Sequence, residues 1–474
     1  MKVSPDPGSR TVARFCWLAA LVLFATIVAV QQGVFEGSAK NVAHAKGGKV
    51  EIQPPTGEVL MLGRIWVKSI RQQKPVKGSF EDQILKMEMD FFANTDADRL
   101  RMVPVAGELW GKEEVDARLH ELELKLPADS PLRSDLAVLE RIYSGERPDR
   151  AAPEVKTFLE RHTYFAEVAL SHGLADTDPA RARLITGGEA ALVLMTLGMC
   201  GYVLVIGLGF ILLIVWSILV MMGRVKLRYT APETGGSLGI EIFTVFLGGF
   251  ALLKVASALI GLVVTDAKAA HTIVMLLQWS LVLIVFYPRF RGYPLGESWR
   301  RLGFHTGTGV FREIGAGVLG YIGSLPLLVL GLIAAFILMM VWGAISHMLG
   351  YEPEGASNTL IDMVAKMDWW ELLLLGTLAL VWAPIVEEFV FRGGLLRDLS
   401  SRVWGIVAAI LTSFFFAFAH GYPIVLLPIL MGLATGFAFI RFWRGSIIGC
   451  ITAHCIHNSF AMTMLYVVSQ LLKD

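Results

Sequence analysis

Nine stretches of this 474-residue chain are apolar over roughly the length needed to cross a bilayer, and no other feature constrains its fold as tightly. They run over 14–33, 190–222, 238–265, 271–287, 314–346, 369–391, 403–420, 423–443 and 446–471. A span needs about 17–25 residues, so 271–287 and 403–420 are short, while 190–222 and 314–346 leave room for tilt. Lipid offers no hydrogen bonds, so segments inside it must satisfy their own backbone polar groups, which dictates helices. The expected fold is therefore all-α, a polytopic transmembrane helical bundle of about nine spans. Composition agrees: 54% of residues are hydrophobic and 18% charged, with a mean hydropathy of +0.58. A formal net charge of +1 offers no basic surface for nucleic acid. The lipid bilayer is the one partner that composition names.

Lys2, Arg10 and Arg14 precede the first apolar run, the pattern of a signal anchor over residues 1–33. The small-residue sequence "AHA" at 43–45 lies far from the apolar stretch, which favours an uncleaved anchor. Basic flanks hold the N-terminus in the cytoplasm and place residues 34–187 outside. That polar segment reads as a small, mostly helical extramembrane domain. Pro153 opens a helix in which Val155, Phe158, Leu159, His162 and Phe165 share a face, and Val115, Leu119 and Leu122 make a second stripe. Both are packing faces, and neither names the partner of this domain. Residues 188–368 supply membrane helices and their connections, and 369–474 form a separate functional core. Basic residues recur at Arg224, Lys226, Arg228, Arg289, Arg291, Arg300, Arg301, Arg312, Arg397, Arg402, Arg441 and Arg444, marking the cytoplasmic side. Cys16, Cys200, Cys450 and Cys455 all fall in apolar segments, so 34–187 encodes no disulfide framework.

Inside the core, "VEEFVFRGGLL" (386–396) places two adjacent glutamates and an arginine in an apolar run, where a charge costs about 2.5–3.5 kcal/mol on insertion scales. Residues four apart share a helix face, so Glu388 and Arg392 can neutralise one another. Glu387 points elsewhere and is free to face a cavity, where insulation from water suits a general base. "SFFFAFAHG" (413–421) sets His420 one turn beyond Phe416, and "CITAHCIHNSF" (450–460) puts His454 and Asn458 on one face with His457 beside it. Such groups supply a base and donors for a developing oxyanion, the requirements of amide hydrolysis.

In order, these tracts resemble the EExxxR, FxxxH and HxxxN motifs of the CAAX-protease and bacteriocin-processing (CPBP) family of intramembrane endopeptidases, which includes type II CAAX prenyl endopeptidases and lysostaphin-resistance-like proteins. The likeness covers roughly residues 370–470. It implies that Glu387 and His420 activate the attacking water and that His454 and Asn458 stabilise the oxyanion, with Glu388, Arg392 and Phe416 in support. It implies a membrane-associated or lipidated polypeptide as substrate. The metal-free glutamate mechanism is the favoured one, with no cofactor; if zinc took part, Glu387, His420 and His454 would be its ligands. Alternation of the spans conflicts with this convergence, because it sets Glu387 and His454 each about 8–10 residues from a cytoplasmic end and His420 near the opposite face.

Two other classes remain as alternatives: a non-catalytic membrane protein of the same fold, for immunity or scaffolding, and a proton-coupled transporter using Lys254, Glu387 and the histidines. A transporter would spread charge through the bundle and show an internal repeat, and the sequence does neither. Lys254 in "GGFALLKVASALIG" can snorkel or pair with a carboxylate. "GLATG" (432–436) permits close helix approach and is read as internal packing.

Overall fold

The computed structural model describes residues 3–31, 52, 54–72, 76–93, 95–187, 189–348, 364 and 367–471. Every regular element among them is a helix. The "AHA" at 43–45 lies outside the described residues. The chain forms two compact units: Met1–His44, Gly201–Ile345 and Asp368–Met462 make one, and Ala45–Cys200, Ser346–Met367 and Thr463–Asp474 the other.

Among the described residues, seven helices are long and apolar enough to cross a membrane: Arg10–Gln31, Val193–Met221, Leu238–Val263, Lys268–Phe290, Val310–Ile345, Trp369–Arg402 and Ile424–Arg444. The other two expected spans are also helical. Gly405–Ala419 has 15 residues, and Ile448–Leu471 has 24, with His454, His457 and Asn458 interrupting its apolar run. About nine is thus an approximate count, and the chain is an integral membrane protein.

The Trp369–Arg402 helix positions the three charges, and its irregularities have a local cause. It opens on a capping box between Asp368 and Glu371. Pro384 has no N–H, so Leu380 O loses its helical donor. One turn earlier the ladder slips, and Ala383 N bonds Leu378 O rather than Ala379 O, giving a π-turn over Leu378–Trp382. The two stranded carbonyls are recovered by the last helix: Asn458 Nδ2 donates to Ala379 O at 2.7 Å and Cys455 Sγ to Leu380 O at 3.2 Å. A second π-turn spans Phe389–Leu395. There Gly394 lies against Gly239, where a Cβ would come within 2.9 Å of the Gly239 carbonyl oxygen.

The helix continues to Arg402 rather than ending near 391, which removes the conflict over depth. Glu387 stands 15 residues before Arg402, and the next helix is itself 15 residues long. At 1.5 Å per residue both climb about 22 Å, so His420 returns to the level of Glu387. Gly432 and Gly436 do pack internally: a Cβ on the first would meet Leu327 O at 2.1 Å, and on the second Ser324 Oγ at 2.2 Å.

At the other end of the bundle the basic connections are tied to acids and backbone carbonyls, with Arg397 and Arg301 meeting Asp6 of the N-terminal segment. Arg397 Nε donates to Asp6 at 2.7 Å, Arg228 N to Phe442 O at 3.1 Å, and Arg444 Nη2 to Glu313 at 2.7 Å. Trp299 Nε1 donates to Val285 O at 2.8 Å.

In the second unit, Asp96–Trp110 is the central helix, buried on nearly all sides. Val115, Leu119 and Leu122 pack in its core, as their spacing predicts. The single helix expected from Pro153 is broken: Thr163 adopts φ 48° and divides it into Pro153–His162 and Tyr164–Leu170. His162 is fully buried against Asp135, with Nε2 to Oδ2 at 3.1 Å. Burial holds its pKa below the ordinary histidine value, and the Asp135 hydrogen bond opposes that only in part.

Candidate active site

The two adjacent glutamates have opposite surroundings. Glu388 and Arg392 are both wholly buried, with Arg392 Nη1 donating to Glu388 Oε1 at 2.9 Å. Arg392 Nη2 donates to Ala434 O at 3.0 Å. Its guanidinium carbon lies 4.5 Å from the Phe416 ring centroid and 5.4 Å from that of Phe437. Glu388 is thus a fixed, neutralised anion. Glu387 is turned away from this pair, and among the described residues its buried Oε2, like the second oxygen of Glu388, has no hydrogen-bond partner.

Two histidines face that oxygen. His420 Nε2 and His454 Nε2 each stand 3.9 Å from Glu387 Oε2. Their other nitrogens fix the tautomers. His420 Nδ1 lies 2.8 Å from Phe416 O, which can only accept, so Nδ1 carries the hydrogen. His454 Nδ1 lies 2.9 Å from the Glu388 oxygen that already accepts from Arg392, so there too Nδ1–H donates. In their neutral forms both Nε2 atoms turn lone pairs toward Glu387. Phe416 lies beside both rings, tilted against His420 at 4.6 Å and edge-on to His454 at 5.9 Å.

Six of the seven residues singled out in the sequence meet, and Asn458 is engaged with backbone instead. Glu387, His420 and His454 form one cluster. Glu388, Arg392 and Phe416 lie behind it. Asn458 uses one of its two amide N–H donors on Ala379 O and so ties the last helix to the π-turn before Glu387. His457 sits beside Tyr321, ring centroids 6.1 Å apart. Lys254 is exposed, 5.4 Å over the Phe250 ring.

Three further contributors carried no usable sequence signal. Phe437 lies within 5.7 Å of the His454 ring, ordinary core composition in any membrane helix. Cys455 serves a carbonyl that only a π-turn exposes. Gln31, the last residue of the first helix, donates to Ala419 O at 3.3 Å. That contact puts the His420 turn at the end of the bundle away from the basic connections. Pro384 was the one visible warning that the helix would be irregular.

The acid–histidine set fits a tetrahedral zinc poorly. Ligands about 2.0–2.2 Å from such an ion stand roughly 3.3–3.6 Å apart, whereas both histidine–glutamate pairs are at 3.9 Å. Among the described residues no three His, Cys, Asp or Glu side chains are arranged to hold a metal ion.

A polytopic helical membrane protein with a glutamate–histidine centre among its helices is the class that fold and site define. Residues 369–460 match the model of the family described as type II CAAX prenyl endopeptidase Rce1-like, so the chain carries an Rce1-like domain over that segment. No curated protein and no solved structure matches the chain.

Proposed function

We propose that this protein is an intramembrane endopeptidase of the CAAX-protease type, hydrolysing a peptide bond in a membrane-associated or lipidated polypeptide, prenylated chains among them. The observation that carries the reading is the uncommitted Glu387 oxygen with a histidine Nε2 on either side, held beside a glutamate that Arg392 neutralises. Separations of 3.9 Å are too long for direct hydrogen bonds and accommodate a bridging water. Glu387 takes a proton from that water, with His420 orienting it, and the oxygen attacks the scissile carbonyl carbon. The oxyanion is met by the free N–H of Asn458, with His454 beside it. Collapse breaks the C–N bond, and the proton held on Glu387 passes to the leaving amine. No step is assigned to a metal.

The clustering of basic ends around Asp6 supports a cytoplasmic N-terminus and an extracytoplasmic second unit. In that orientation the catalytic centre lies toward the outer leaflet.

The test is cleavage of a quenched, prenylated peptide library by purified protein, comparing wild type with Glu387→Ala and His420→Ala. Both variants are expected to lose at least about a hundredfold in rate, with wild-type cleavage insensitive to a strong zinc chelator. Cleavage abolished by the chelator, or retained in Glu387→Ala, would overturn the glutamate mechanism.

A further inference from the structure

We propose that the Phe80–Phe92 helix is a docking surface for a partner polypeptide that presents an apolar helix face edged on one side by lysine or arginine. The helix is well anchored. Ser79 caps it by accepting from Asp82 N, and Leu85 and Met89 are buried in the core of the second unit. Its opposite face is apolar as well. Phe80, Ile84, Met87 and Phe91 are 79%, 41%, 67% and 63% exposed. At 100° per residue the four fall within about 60° of one another, a single straight stripe. Aromatic side chains of roughly 150–250 Å² each make this an exposed apolar patch on the order of 500 Å², a size that marks interaction sites on soluble surfaces. Spacing of i, i+4, i+7 and i+11 is what a partner helix reads in groove-and-anchor recognition.

The charges beside the stripe choose the occupant. One edge carries Glu81 and Glu88, neither ion-paired among the described residues. The other carries Gln83 and Asp90, and Asp90 is bound to Arg118 at 2.9 Å. Nearby lysines are already committed, Lys77 to Glu113 at 2.6 Å and Lys86 to Glu114 at 2.9 Å. A bilayer surface recruits amphipathic helices through lysine and arginine beside the apolar face, and this border is the reverse. A second copy would bring the same acids to the seam with no uncompensated cation. A basic-edged partner helix satisfies both the stripe and Glu81 and Glu88. This inference does not depend on the peptidase reading.

The probe is a fluorescent helical peptide of leucine and lysine, with leucines at i, i+3, i+4 and i+7 and lysines along one edge. It is titrated into full-length protein in phosphatidylcholine nanodiscs, against empty nanodiscs. Saturable binding is expected, weakened about tenfold or more by Met87→Asp and by paired Glu81→Lys and Glu88→Lys. The lysine pair should in turn capture a glutamate-edged peptide. Absence of saturable binding, or binding indifferent to Met87→Asp, overturns the proposal. So does a nitroxide at Met87→Cys that is more accessible to oxygen than to an aqueous nickel chelate in phosphatidylglycerol-containing nanodiscs, since lipid would then cover the stripe.

Discussion

Adjacent glutamates acquire different roles because a helix turns 100° between them. Glu388 meets Arg392 and His454 and becomes structural; Glu387 meets two lone pairs and stays reactive. Removing one member of a buried ion pair strands the other, so Glu388→Ala or Arg392→Ala should each cost about 3–5 kcal/mol. The double substitution should cost less than the sum of the singles. Chemical unfolding of the purified protein in detergent reads both, and additive losses would show that the pair is not coupled. His162 offers a pH-dependent counterpart in the second unit. Its folded pKa is depressed by burial, so the unfolded chain binds a proton that the folded one does not. Stability contributed by neutral His162 is complete above about pH 6.5 and declines as pH falls toward the folded value, with a limiting slope of about 1.4 kcal/mol per unit. Amide exchange of Pro153–His162 between pH 7 and 5, corrected for intrinsic rates, should show this loss, and His162→Leu should remove it.

Among elements, the Trp369–Arg402 helix matters most because its backbone is irregular where the chemistry is. Pro384 removes one hydrogen bond, the preceding turn widens, and Asn458 and Cys455 take up the stranded carbonyls. Pro384→Ala restores an N–H and favours regular α-helix through Leu380, turning Glu387 relative to the histidines. Stability should hold or rise while cleavage falls by about a hundredfold, as a displacement near 1 Å can cause. Unchanged cleavage with unchanged stability would show that the π-turn does not aim Glu387. Asn458→Asp replaces the donor to Ala379 O with an anion and should lower both activity and melting temperature.

On the scale of the whole molecule, the bundle has a basic end, where Arg397 holds Asp6, and an opposite end, where Gln31 meets the His420 turn. With the N-terminus in the cytoplasm, Asp149→Cys in a cysteine-free background should react with an impermeant maleimide on intact cells. Arg224→Cys should react only after permeabilisation. The reverse pattern would place the second unit in the cytoplasm and turn the site toward the inner leaflet.

The sequence alone determined the all-helical membrane architecture, because apolar length and lipid's lack of hydrogen bonds leave a chain little choice. It also determined the Glu388–Arg392 pair and the His454–Asn458 face, since i and i+4 neighbours follow from helix geometry. Tertiary structure decided the rest. Periodicity gave no sign that the 369–391 run continues to Arg402, because the added stretch mixes leucine and glycine with polar residues, most of which neighbouring helices bury. His420 and Glu387 could be set at one depth only by that longer helix and its antiparallel return. Nor does any local pattern reveal that Asn458 serves a backbone carbonyl, because that carbonyl is exposed only when Pro384 and a distant helix act on the same turn.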